Sequence, residues 1–451
     1  MKRGLSHSPN CYPTSSLPSG HVFSQIFLCA TFIGGFFVAV GAIGSGRSGL
    51  IMWLRFLAIL HAAVFAATSA AMSPVSSKLG PSDKIDALRK QPDQVYPFIL
   101  RLAPGSTLAS VLPPDTDPAG VTDLPLIGGA SLPLQVSTAL ALADRPEVLQ
   151  VWYLHPELAP FYLRVMTALQ YNVKTLEPPA LVNLSIGPPP RFWPRKPEPD
   201  DPMHAATRAA ADAGFIPVMA IGNAGEGPGD RSGLVNPWCI PPWVIAVGAY
   251  DGAAGRVAAF SSHGDPANPD TWPDVVAQGV DVIGPFPTNL TKSDQRRRYD
   301  ESNAAFRAQV APEKWPLYTL ESGTSQAAAN VTGAAAQVLH FLSETIRQSQ
   351  GTSGDLFQLT APPDRINPTA TALPRLTGTV KRMDDGSMVY TYKMDQPWKM
   401  VKQLLRDTAI SLPGVPPAQG GAGLIDRALI NQQFGAHGLA KPMILPSKVV
   451  E

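Results

Sequence analysis

Glu321-Ser322-Gly323-Thr324-Ser325-Gln326-Ala327-Ala328-Ala329-Asn330-Val331-Thr332-Gly333-Ala334-Ala335-Ala336 is the stretch on which the reading of this chain turns. Gly323-Thr324 interrupts regular structure just ahead of a long Ala-rich run. Ser325 is therefore expected at a helix start, where its hydroxyl meets unpaired backbone N–H groups and the positive end of the helix dipole. The small residues at 327, 328, 329, 333, 334, 335 and 336 suit a helix packed closely on a sheet. On this stretch alone two readings stand: Ser325 as a nucleophile, or Ser325 as the N-cap of a buried helix.

Composition narrows the classes. The chain has 451 residues, 45% hydrophobic and 16% charged, so it can bury a sizeable core and is not disordered through excess charge. The formal net charge of +1 gives no electrostatic footprint for nucleic acid. The 47 prolines gather at 188–190, 194–202 and 413–417, as in a loop-rich α/β protein.

Two apolar runs open the chain. Val22 to Gly44, about 23 residues without a charge, is long enough to cross a bilayer. Ile51 to Met72 has Arg55 near its start and Ala66-Ala67-Thr68-Ser69-Ala70-Ala71 at its end, the parts of a signal peptide. The expectation is a leader within 52–71, with the mature chain starting near Ala71 or Met72 and Met52 as an alternative start. The other reading of 1–71 is a membrane anchor. Either places the rest of the chain outside the cytoplasm. Cys239 is the one cysteine beyond these runs, so an intrachain disulfide there is excluded.

Further on, strand-like and helical runs alternate, which predicts βα units on a mostly parallel sheet. Strands are expected over 97–102, 148–154, 180–186, 216–221 and 244–249. Helices are expected over 134–143, 160–171, 204–213, 326–347 and 398–410. Residues 288–314 and 351–396 read as insertions into a domain spanning 72–435, with a tail at 436–451. Within the second insertion, 376–392 reads as a hairpin around Asp384-Asp385-Gly386.

Several segments together resemble the subtilisin-like serine peptidases (subtilases). The Ser325 stretch is similar to their nucleophile segment. Ala180-Leu181-Val182-Asn183-Leu184-Ser185-Ile186-Gly187 is similar to the strand whose end walls the substrate cleft. Val218-Met219-Ala220-Ile221-Gly222-Asn223-Ala224-Gly225 resembles the segment carrying the oxyanion-hole Asn. Trp243 to Tyr250, Ala259 to Gly264 and Gly420 to Asp426 look like three further family segments, in the family's order. The resemblance implies an α/β subtilisin-like three-layer fold with an inserted loop and a C-terminal hairpin. It also implies Ser325 as nucleophile, Asn223 as oxyanion donor, Ser185, Ile186 and Gly187 as cleft wall, and a peptide or protein substrate. A fixed amide donor suits an oxyanion, since it need not reorganise as charge develops.

The family's Asp-Ser/Thr-Gly turn and His-Gly-Thr-His segment have no counterpart here. In one alignment the segments are present but altered, with Ala103 at the Asp position and Gln135 at the His position. Their separation of about 32 residues is the one the subtilisin order implies. In the other, 96–153 is a propeptide-like segment and the Asp- and His-bearing segments are missing. The first alignment is preferred on sheet integrity, since deleting central strands strands backbone groups. Both leave the serine without its usual base, and a serine hydroxyl is a weak nucleophile without one. The expected protein is a degenerate peptidase with possible peptide binding. The alternative is an active endopeptidase with a relocated base, His155 or His263. No cofactor and no metal-ligand spacing is read. The acidic Glu198, Asp200 and Asp201 are expected to be solvated.

Overall fold

The computed structural model describes residues 26–33, 36–43, 78–114, 116, 120–194, 198–225, 234–285, 304–349, 356–361, 367–393, 396–425, 430 and 443–445. The first apolar run is a hairpin. Ile26–Ile33 (β1) and Phe36–Ile43 (β2) pair antiparallel, with Ile33 opposite Phe36 and Ile26 opposite Ile43. Length alone suggested a helix. The content of Ile, Val, Thr and Phe around Gly34-Gly35 favours strands instead. Among the described residues no helix is long and apolar enough to cross a membrane. The leader expected within 52–71 lies outside the described residues.

A separate five-stranded sheet follows. Its elements are Leu79–Gly80 (β3), Val95–Leu102 (β4), Leu108–Val111 (α1), Thr122–Leu124 (β5), Gly129–Gln135 (β6), Val136–Ala143 (α2) and Val148–Tyr153 (β7). The strand order is β3-β7-β4-β6-β5, and β4 is antiparallel to both β6 and β7. From β4 to β7 this is the βαββαβ arrangement of ferredoxin-like units. Side chains alternate across it. Phe98, Leu100, Leu132 and Leu134 pack with Val136, Ala139 and Leu142 of α2. Ile99, Leu124 and Trp152 face the other way, into the core of the main domain.

This arrangement corrects the preferred alignment. Ala103 follows β4 and Gln135 ends β6, so both belong to this antiparallel sheet and not to the central one. The helix expected from 134 begins at Val136, because Ala130, Leu132 and Leu134 alternate inward and extend the strand to Gln135. Chain continuity is decisive: after β7 only residues 154–158 intervene before Ala159–Thr175 (α3).

The central sheet runs through Ala180–Leu184 (β8), Phe215–Ala220 (β9), Ile245–Asp251 (β10) and Val275–Gln278 (β12), each parallel to its neighbour. Arg256–Val257 (β11) adds antiparallel to β10, and β2 adds antiparallel to β8. α3 and Pro202–Asp212 (α4) cover one face, through Val165, Met166, Leu169, Met203 and Ala206. Thr324–Ser349 (α5) and Pro397–Thr408 (α6) cover the other, through Ala327, Ala328, Val331, Val401 and Leu404. Both faces are thus buried, which is why β8 to β10 read as unbroken apolar runs. A ribbon of Val282–Pro285 (β13) and Tyr318–Glu321 (β14) leads into α5. The first expected insertion, 288–314, falls mostly outside the described residues; the described part holds a short helix, Ala304–Gln309. A four-stranded antiparallel sheet closes the fold: Leu356–Ala361 (β15), Thr379–Arg382 (β16), Met388–Lys393 (β17) and Met443–Leu445 (β18). β16 and β17 form the expected hairpin, turning at Gly386 with φ 84°.

Two buried polar clusters fix this packing. Asp201 is not solvated: it caps α4, accepting from Met203 N–H at 2.8 Å, and accepts from the Tyr162 hydroxyl at 2.6 Å. Trp238 Nε1–H donates to the same hydroxyl at 2.9 Å. On the opposite face Asp274 meets Lys402 at 2.9 Å and Arg406 Nε at 2.9 Å, and accepts from Ala246 N–H at 2.7 Å. Lys402 also donates to the carbonyls of Val244 and Pro242, which ties α6 to the start of β10. Burial works against the Asp274 charge, but Lys402 and Arg406 outweigh it and hold the carboxyl below its ordinary range. Burial pulls the Lys402 ammonium down to about 8, against the pull of Asp274.

Removing one partner of such a cluster strands the other charge. Asp274→Ala is expected to lower the unfolding free energy in urea by about 3–5 kcal/mol. Lys402 also sets a pH signature. Between about pH 8 and its ordinary 10.5 the unfolded chain holds a proton that the fold lacks, so this group adds stability as pH rises. The stability of the native protein relative to Lys402→Met should therefore increase across that window in parallel urea titrations. A constant difference would refute it.

Candidate functional site

The site forms where the carboxyl ends of β8 and β9 meet the start of α5, the place where parallel sheets present ligands. Gly323 N–H donates to Gly279 O at 2.7 Å, which anchors the turn before the helix. Thr324 N–H and its hydroxyl both donate to Asn223 Oδ1, at 2.9 and 2.8 Å. A backbone N–H can only donate, so the amide must present its oxygen to Thr324 and keep Nδ2 as the spare donor. A Cβ built at Gly323 would lie 3.4 Å from that nitrogen and 2.8 Å from Gln326 Oε1. Gly222 N–H donates to the Thr324 hydroxyl at 3.2 Å, closing a network in which Thr324 is fully buried and Asn223 exposed.

Ser325 follows on the first turn of α5, half-buried. Its hydroxyl donates to the Ser185 carbonyl at 3.3 Å, and the Ser185 hydroxyl donates to the Ser325 carbonyl at 2.9 Å. The structure thus places Ser325 against Ser185 and, through Thr324, next to Asn223. Among the described residues no base is hydrogen-bonded to Ser325. His155 accepts from Glu157 N–H at 3.3 Å and packs its ring on Phe192 at 4.9 Å between centroids. His263 lies in the segment whose Ser262 Oγ accepts from Ala224 N–H. Among the described residues neither histidine is hydrogen-bonded to Ser325. Asp281 approaches the turn, with φ 52°, but its N–H donates to the Ser322 hydroxyl at 2.9 Å. Asn330 donates to Gln278 O at 2.7 Å, a packing role. No group of three metal-ligating side chains occurs among the described residues.

Two residues that sequence reading missed shape the cleft wall. Asn236, buried, donates through Nδ2 to Ile186 O at 3.0 Å and to Ala220 O at 3.1 Å, clipping the end of β8 to the end of β9. A Cβ at Gly187 would lie 2.7 Å from that same nitrogen. Trp193 folds back, donating to Pro188 O at 2.6 Å, and packs where a side chain on Gly222 (φ 114°) would collide with it. The one available signal for both was a polar or aromatic residue in a Pro-rich loop, which is too common to single out.

Residues 165–361 match the family model described as Subtilase family. This part of the chain is similar to the subtilases. The match begins within α3 and ends with β15, so the matched region holds the serine helix, the Asn223 loop and residues 185–187, and the five-stranded sheet lies outside it. No curated protein matches the chain. Among solved structures, it is similar to the epidermin leader peptide processing serine protease (EpiP) from Staphylococcus aureus. The identity is 14%, covering 50% of this chain and 42% of that one, with a TM-score of 0.27. A second structure of that protease, a mutant, matches at 14% identity over the same shares, with a TM-score of 0.25. The chain thus spans less than half the length of the structures it matches.

The Thr324 network makes a definite energetic claim. Thr324→Val keeps the shape but leaves Gly222 N–H without an acceptor and removes a donor from Asn223. It is expected to lower the unfolding free energy by about 1–3 kcal/mol. A change near zero in chemical denaturation would show that the network is not closed as described.

Proposed function

We propose that this chain is a degenerate subtilase with little or no peptidase activity, whose serine cleft serves to bind extended peptide. One observation carries the reading: the Ser325 hydroxyl spends its proton on the Ser185 carbonyl, and no base among the described residues accepts it. The short passage from β7 to α3 supports it, because it leaves no length for Asp- and His-bearing segments between the two. The five-stranded sheet fits the alternative alignment, a propeptide-like unit kept in the chain. Loss of Ser or His from a subtilisin removes about 10⁶ of turnover, leaving roughly 10³ to 10⁴ over water from oxyanion hole and binding. Residual activity here should not exceed that remnant.

For peptide binding, the wall offers residues 185 and 187, which share one edge. The Ile186 carbonyl is taken by Asn236 and the Pro188 carbonyl by Trp193. The Ser185 carbonyl is held by the Ser325 hydroxyl, an exchangeable bond that a peptide N–H could replace. Strand addition of this kind uses backbone groups and makes few side-chain demands. The rigid Pro188-Pro189-Pro190 that follows limits how far the wall can adapt.

Two measurements test the halves of this reading separately. A fluorophosphonate probe should leave Ser325 unmodified over hours; rapid labelling that Ser325→Ala abolishes would overturn the degenerate assignment and restore a relocated base. An unstructured peptide library titrated against the native protein should bind weakly. Gly187→Val, which pushes a side chain into Asn236, should weaken that binding about tenfold. Binding indifferent to Gly187→Val would reject the cleft as the peptide site.

A further inference from the structure

We propose that the β1–β2 hairpin is a permanent part of the central sheet, kept in the working protein and sealing the β8 edge next to Ser325. A parallel strand buried on both faces cannot leave one edge open, because its N–H and C=O groups would lack partners away from water. β8 is such a strand: every residue from Ala180 to Leu184 is buried, and β9 occupies one side. No segment between β7 and α3 is long enough to reach the other side. The partner is β2, in register from Val38 opposite Leu184 to Ala42 opposite Ala180. Residues 26–43 carry no charged side chain, as a position inside a sheet core demands and as a leader would equally show.

The register has a chemical consequence. Because β2 runs antiparallel to β8, its entry at Phe36-Phe37 lies at the carboxyl end of β8, the end that continues into Ser185. That is the end at which parallel sheets place their reactive groups. The strand filling the position brings Phe36, Phe37 and Val38, none of which can take a proton. The edge is closed by a segment without acid or base.

The inference opposes cleavage near Ala71, which would discard the hairpin, and the test turns on that. In full-length protein with Cys11→Ser and Cys29→Ser, the pair Val40→Cys/Val182→Cys should form an intramolecular disulfide under mild oxidation. Its yield should be at least about tenfold that of the control Val40→Cys/Leu181→Cys, in which the two side chains lie on opposite faces. Val40→Pro, which removes a donor from the ladder, should lower the thermal midpoint of the purified protein by about 5 °C or more. A crosslink yield no better than the control, or a midpoint unmoved by Val40→Pro, overturns the proposal. Recovery of native protein starting near residue 72 with an unchanged midpoint does so as well.

Discussion

The hydrogen bonds from Thr324 to the Asn223 carbonyl oxygen are the constraint on which the site depends. They settle where α5 begins, and so where Ser325 stands. They orient the Asn223 amide with its donor outward, and through Gly222 they join the end of β9 to the helix. The Thr324 N–H is thereby satisfied at the helix start whatever chemistry the site performs. The Asn223 amide is held by the fold itself, so its position is no measure of activity.

Legibility in the sequence followed the locality of the signal. The strands at 97–102, 148–154, 180–186, 216–221 and 244–249 were readable, because burial on both faces writes continuous apolar runs. The serine helix was readable from its small residues, and the 376–392 hairpin from Asp384-Asp385-Gly386. The sheet to which each strand belongs was not readable. β4 and β7 carry the same residue types as β8 and β9, and what separates them is the partner, which lies far away in sequence. Ala103 and Gln135 were misplaced for that reason. The hairpin at 26–43 was missed because an uncharged run of that length reads equally as a membrane span, and only pairing with β8 separates the two. Asp201 was misjudged because proline-rich surroundings suggest a surface, whereas Tyr162 and Trp238, distant in sequence, bury it.

The two faces of the central sheet are held by different means. On the α5 and α6 side, Asp274, Lys402 and Arg406 form a charged cluster within apolar packing that includes Val401, Leu404 and Leu405. On the α3 and α4 side the polar element is the Tyr162, Asp201 and Trp238 network, in contact with the core that the small sheet shares. The small sheet is thus more than an appendage: Ile99, Leu124 and Trp152 complete the cover over α3 and α4.

The five-residue passage from β7 into α3 bears on how the molecule folds. The pairings of β4 with β6 and β7 span 28 to 55 residues and those along β8, β9, β10 and β12 span 27 to 35, so loop closure favours neither sheet. Trp152 and Leu154 run directly into α3, so the small sheet holds that helix by one short covalent link and by the core that both share.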